Sequence, residues 1–249
     1  MKIEDRTATV TEDPYEQLLI DKVTFDSACG YDIDDSEIHP ILLPHQRDIV
    51  RWAVHGGRRA IFASFGLGKS VMQLEVCRLT RAHAGGRALI VCPLGVRQEF
   101  RHDAKMLGQT SKFVRFTSEV HESQSEPDIW LTNYESIRDG RLDPDLFTVI
   151  SLDEGAILRS LGTKTFQTFR MLCDSIPHRF VATATPSPNE HTELTNYADF
   201  LGVLDRGQSL TRWFKRNSSK AGELTLMGHR SEEFWSWVAT WSVWVQKPS

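Results

Sequence analysis

The sequence predicts an α/β fold with a mostly parallel central sheet and helices on both faces. Three observations lead there. Short apolar runs alternate with longer helical patterns. The runs are apolar throughout, as strands inside a parallel sheet are when both faces are covered. The residues with chemistry to offer fall just after these runs, where ligands sit in open parallel sheets.

The elements follow in order. Residues 1–40 are polar and acidic, with little periodicity, and read as an N-terminal arm. A helix is expected from Pro44 to His55, with Ile49, Trp52 and Ala53 on one face and Gly56-Gly57 as its stop. Strand runs are expected at Arg59–Ala63, Ala88–Cys92, Lys112–Phe116, Ile129–Thr132, Phe147–Leu152 and Phe180–Thr185. Helices are expected over Lys69–Ala82, Val96–Met106 and Glu190–Leu201. A last helix, rich in tryptophan, is expected over Ser231–Val245, with Phe234, Trp237, Val238, Trp241 and Val245 at helical spacing. It reads as a packing helix, with base stacking on tryptophan as the less favoured alternative.

Composition sets the bounds. The 249 residues are 40% apolar and 25% charged, enough for one sizeable globular domain. A net charge of −4 argues against holding nucleic acid by bulk charge, so such binding needs a local patch, backbone amides or a partner lobe. Cys29, Cys77, Cys92 and Cys173 have no zinc spacing and read as reduced thiols. The N-terminus carries no apolar signal region and no run is long enough to span a bilayer, so no membrane partner and a cytoplasmic location are expected.

The segment Ala63-Ser-Phe-Gly-Leu-Gly-Lys-Ser70 follows a strand and opens a helix. It differs from the GxxxxGK[ST] phosphate-loop pattern only in its first residue. Gly66, Leu67 and Gly68 shape a curl whose amides can face a phosphate. Lys69 can reach the terminal phosphates and Ser70 can offer a hydroxyl to Mg²⁺. Asp153 and Glu154 end a buried strand, where an aspartate can hold Mg²⁺ and a glutamate can orient or deprotonate water. Either feature alone has a bland reading, a glycine turn or an acidic cap; their order and the strands between them favour the functional one. Thr183 and Thr185 close the sixth run and can bond to the acidic pair. Short basic pairs such as Arg58-Arg59 and Lys215-Arg216 are expected to be solvated.

Taken together, ASFGLGKS, LDEGA and TATP resemble motifs I, II and III of superfamily 2 helicases and translocases. Within it the chain resembles the Swi/Snf-like DEAD/DEAH-box branch and its phage- and prophage-encoded helicases, over most of residues 38–249. The resemblance implies a RecA-like P-loop NTPase lobe, with ATP and Mg²⁺ as cofactors. It implies that Gln46 contacts adenine and that Gly66, Leu67, Gly68, Lys69 and Ser70 hold the phosphates, with Ser70 and Asp153 at the metal. Lys69, Asp153 and Glu154 would be catalytic, and Thr183 and Thr185 would couple nucleotide to nucleic acid. Pro93, Leu94, Arg97 and Asn133 would touch the nucleic-acid backbone. Two departures stand out: Ser64-Phe65 places bulk in the phosphate loop, and the acidic motif reads DEGA.

The expected organisation is an arm at 1–40, a RecA-like lobe at 41–205 and a helical extension at 206–249 leading towards a second RecA-like lobe, in the same or a partner chain. The family needs that lobe for its arginines, so the isolated lobe is expected to hydrolyse ATP weakly or not at all. The implied partner is nucleic acid, duplex DNA for this branch, in a bacterial or phage-infected cell. The alternative is a nucleotide- or partner-binding module without motor activity. A metabolic P-loop kinase is weaker, since it leaves Gln46 and TATP without a role.

Overall fold

The structure, a computed structural model, describes residues 28–154, 169–186, 191–216 and 224–246. Most of the expected N-terminal arm, residues 1–27, lies outside them.

Seven strands form one sheet: β1 (Arg58–Ala63), β2 (Ala88–Val91), β3 (Ser111–Phe113), β4 (Ile129–Thr132), β5 (Val149–Asp153), β6 (His178–Thr183) and β9 (Ser242–Val245). Their order is β3-β4-β2-β5-β6-β1-β9 and every pairing is parallel. All the strand C-termini therefore lie along one edge. β7 (Phe214–Arg216) and β8 (Leu224–Leu226) form a separate antiparallel pair.

Strands buried from end to end favour apolar residues on both faces: β2 is apolar throughout, β4 and β5 are nearly so, and β6 is over Phe180–Ala182. Alternate residues of a strand serve opposite faces. Ile61, Ile90 and Ala182 pack on one side of the sheet with Ile49, Val50, Met72, Cys77 and Phe100. These come from α1 (Pro44–Gly56), α2 (Lys69–Ala84) and α3 (Arg97–Met106). Phe62, Leu89, Val91 and Val181 pack on the other side with Tyr134, Tyr197, Trp213, Trp237 and Trp241. That second layer is built by α5 (Tyr134–Arg138), α6 (Thr192–Leu201), α7 (Arg206–Trp213) and α8 (Ser231–Trp241), with α4 (Thr117–His121) at the β3 end. The α/β class with helices on both faces is the observed architecture.

Helix α1 starts on Pro44, whose missing N–H costs nothing there, and stops at Gly57, which takes φ 69°. The segment before it is tied back: the amides of Cys29, Gly30 and Tyr31 donate to the carbonyls of Gly56, His55 and Val54.

Two expectations are corrected. The last helix ends at Trp241, and Ser242–Val245 is a strand paired with β1, Ile61 opposite Val243. Val245 lies four residues after Trp241, so it mimics the helical stripe, but Ser-Val-Trp-Val is also strand-forming, and the open side of β1 decides between the two readings. The stripe itself is core: Phe234, Trp237, Val238 and Trp241 are buried, and Trp237 stacks on Trp213 with centroids 4.4 Å apart. The second correction concerns Arg59. It is 5% exposed rather than solvated, with its guanidinium over the Trp52 ring.

Candidate nucleotide-binding site

The glycine loop runs from the end of β1 into α2. Gly66 takes φ 80°, and Gly68, the residue before α2, takes φ 72°. Both values favour a residue without Cβ. A Cβ on Gly68 would also come within 2.4 Å of Gln46 Nε2. The curl turns the loop towards the first turn of α2, where unpaired amides and the helix dipole favour an anion.

Gln46 braces this loop. Its Nε2 donates to the Leu67 carbonyl at 3.0 Å, and its Oε1 accepts from the Leu43 amide at 2.9 Å. It thereby ties the start of α1 to the loop while 7% exposed. One hydrogen and one lone pair of its amide remain for a further partner.

Lys69 extends across the edge of the sheet to the end of β5. Its Nζ lies 3.6 Å from Asp153 Oδ1 and 3.7 Å from Glu154 Oε2. Strand β6 lies between β1 and β5, so the pair spans two strand spacings. Burial pushes the Asp153 carboxyl above its ordinary value; Lys69, and the hydrogen bond from Gln73, pull the other way. Glu154 takes φ 53°, the one non-glycine residue with positive φ among the described residues. Such a backbone costs energy and is commonest where function requires it.

Two neighbours, Gln73 and Tyr134, hold Asp153 and a third, Ser151, holds Gln73; none is marked for this role by a sequence motif. Gln73 Nε2 donates to Asp153 Oδ1 at 2.9 Å, and Ser151 Oγ donates to Gln73 Oε1 at 3.0 Å. Tyr134 Oη donates to the Asp153 carbonyl at 2.5 Å. Gln73 is one helical turn beyond Lys69, a spacing that could have revealed it. Tyr134 and Ser151 carry no comparable local signal.

A cleft of about 170 Å³ lies between the loop and the acidic pair, lined by Gly66, Gly68, Lys69, Ser70, Asp153, Glu154 and Glu99 among others. Sites for whole drug-sized ligands run to roughly 300–1,000 Å³. The cleft therefore suits a polyphosphate with its cation rather than a complete nucleotide. The donor set suits Mg²⁺: a serine hydroxyl and carboxylates are hard oxygen ligands. Among the described residues no group of three or more His, Cys, Asp or Glu side chains forms a cage. Mg²⁺ in phosphate sites takes one or two carboxylates and completes its octahedron with phosphate and water.

The remaining expected residues lie along the same edge. Thr183 is buried, and its Oγ1 accepts from the Thr185 amide at 3.2 Å. Pro93 and Leu94 follow β2, with Leu94 exposed, and the Arg97 guanidinium sits over the Phe113 ring at 5.0 Å. Asn133 follows β4 but is buried, and its amide is engaged by Glu135 and by Ser136 Oγ. Its side chain thus shapes its own turn.

No family model and no curated protein sequence matches this chain. Solved structures do. The SWI2/SNF2 ATPase core of Sulfolobus solfataricus in complex with dsDNA aligns with a TM-score of 0.68 at 17% identity, over 87% of this chain and 46% of that one. A second structure of that ATPase core domain gives 0.66 at 17%, over 88% and 46%. UvsW of bacteriophage T4 gives 0.50 at 14%, over 65% and 33%. The chain spans less than half the length of each of these structures. Likeness at these identities shows the fold: a mostly parallel α/β lobe of the kind found in those ATPase and helicase cores.

Proposed function

We propose that the chain is the ATP-binding lobe of a nucleic-acid-dependent ATPase, which hydrolyses ATP to drive movement on duplex DNA when completed by a second RecA-like lobe. We also place it with the phage-type helicases of the Swi/Snf-like branch. The observation that carries the reading is Lys69 bridging from a glycine loop to Asp153 and Glu154 at the carboxyl edge of a parallel sheet.

The residues divide the work as follows. The loop amides and Lys69 hold the β- and γ-phosphates. Ser70 and Asp153 would hold Mg²⁺, which when bound would neutralise charge on the phosphate oxygens. Lys69 then exchanges its carboxylate partners for phosphate. Glu154, freed from Lys69, can accept the proton of an attacking water. Gln46, already bonded to Leu67, can extend its spare hydrogen and lone pair to an adenine edge. Leu94 and Arg97 lie on the edge shared with the phosphate loop, so a nucleic-acid backbone bound there would sense the nucleotide site through α3. Duplex DNA as the track is supported by the Sulfolobus solfataricus neighbour, an ATPase core in complex with dsDNA. A second lobe is supported by how much longer that neighbour is. Its arginines would raise turnover by roughly 10³–10⁵.

The test is phosphate release with and without duplex DNA, from this chain alone and from a form carrying a second lobe. Slow release alone, with DNA stimulation only in the longer form, is expected. Equal, DNA-independent rates for wild type and Glu154→Gln in the longer form would refute the motor reading.

A further inference from the structure

We propose that Asp103 is a positioning residue for the metal at this site: it accepts the hydrogen bond of the Ser70 hydroxyl and so aims that oxygen's lone pairs at Mg²⁺. The inference rests on the nucleotide-site reading above and goes beyond it, because neither the phosphate-loop pattern nor the acidic motif contains Asp103.

The geometry is direct. Ser70 Oγ donates to Asp103 Oδ2 at 2.5 Å, across 33 residues of sequence. A hydroxyl has one hydrogen and two lone pairs. With the hydrogen fixed on a carboxylate, the oxygen is left as a pure acceptor, which is what a metal ligand has to be. A charged acceptor shortens and strengthens such a bond, and it makes the oxygen a better donor to the cation. Asp153 does not fill this role, because its Oδ1 accepts from Gln73 and faces Lys69.

Asp103 is also in the right place. It lies on α3, one turn beyond Glu99, which lines the same cleft. Residues four apart on a helix share a face. Helix α3 thus presents two carboxylates towards the end of the site that holds Ser70. Counting side chains on the cleft wall, Glu99, Asp153 and Glu154 face one cation, Lys69. A bare polyphosphate meets net repulsion there, so nucleotide should enter well only with its metal. Asp103 would set how strongly the metal matters.

The experiment measures the affinity of the chain for ATP by calorimetry, with Mg²⁺ and with EDTA, for wild type, Asp103→Ala, Asp103→Asn, Ser70→Ala and the Ser70→Ala/Asp103→Ala double variant. The readout is the factor by which Mg²⁺ tightens binding. Loss of a partner behind a metal ligand typically costs 10–100-fold in metal affinity. Asp103→Ala should therefore reduce the Mg²⁺ factor by about tenfold or more, with affinity in EDTA little changed. Asp103→Asn keeps an acceptor oxygen and should recover most of the factor. In the Ser70→Ala background Asp103→Ala should add nothing, since the two residues act as one unit. Wild-type Mg²⁺ dependence in Asp103→Ala, or additive losses in the double variant, would overturn the inference while leaving the nucleotide site standing. If wild type itself bound no nucleotide, or Lys69→Ala bound as well as wild type, both readings would fall. Asp103 is a partly exposed helical position, where alanine suits the helix, and matching melting curves for all six proteins check that they fold alike.

Discussion

The Lys69 ammonium lies 3.6 Å from the Asp153 carboxylate, joining the first turn of α2 to the end of β5 across the edge of the sheet. The lysine follows the glycine loop and the aspartate ends β5, 84 residues apart (153 minus 69). Their meeting turns two separate sequence patterns into one site.

Burial of Asp153, which Lys69 offsets only in part, has a consequence for pH. Burial raises the folded-state affinity of Asp153 for a proton above that of the unfolded chain. Between the ordinary carboxylate value and the raised one, the native state binds more protons than the unfolded state. Stability therefore falls as pH rises through that window and stays lower above it. Asp153→Asn should flatten this part of the stability–pH profile and raise stability at neutral pH. Denaturant titrations across the acid range check it; a profile unchanged by the substitution would contradict the raised affinity.

Gln73 bonds both Asp153 and Ser151 while 1% exposed. Replacing it with leucine takes a hydrogen-bond partner from the buried Ser151 hydroxyl and from Asp153, which keeps its contact with Lys69. A loss of about 1–3 kcal/mol per unsatisfied group follows. Adding Ser151→Ala to Gln73→Leu should recover part of the loss, because one of the stranded groups is then gone. Urea unfolding of the single and double variants measures both effects.

Gly68→Ala should be harmful twice over. Its φ of 72° disfavours a side chain, and the new methyl would meet the Gln46 amide at 2.4 Å. The expected outcome is a loss of at least about 1 kcal/mol in stability from backbone strain, with nucleotide affinity weakened as the loop shifts. Thermal melts and ATP titrations of the variant check the two parts separately.

The tryptophans divide by burial. Trp237 is 2% exposed and stacked on Trp213, whereas Trp235 is 38% exposed. In denaturant unfolding, Trp237→Ala should cost about 3–5 kcal/mol, and Trp235→Ala about 1 kcal/mol or less. Equal losses would mean that α8 does not pack as described.

Much of the fold and site is legible in the sequence, and the reasons are local. Runs such as Ala88–Val91 and Val149–Asp153 are apolar in every residue but the last of β5 and the serine within it, so their burial can be read directly. The glycine loop and acidic pair stand out because their chemistry constrains residue type at fixed spacing. What escapes depends on distant contacts. Ser242–Val245 is a strand because β1 has an open side, a fact that emerges only once the sheet is ordered. Asp103 and Tyr134 touch the site through the packing of α3 and of β4 beside β2. The resemblance implies a nucleic-acid contact for Asn133; its amide bonds Glu135 and Ser136, a local geometry that residue type alone does not encode.

The most direct test of the central claim is a calorimetric titration of ATP with Mg²⁺ into this chain and into Lys69→Ala. Charge-assisted bonds from a lysine to phosphate are worth roughly 1.5–3 kcal/mol, about 10–100-fold in affinity. The predicted result is saturable binding to wild type that weakens by that factor in Lys69→Ala. Binding indifferent to Lys69, or none to either protein, would contradict the nucleotide-site reading.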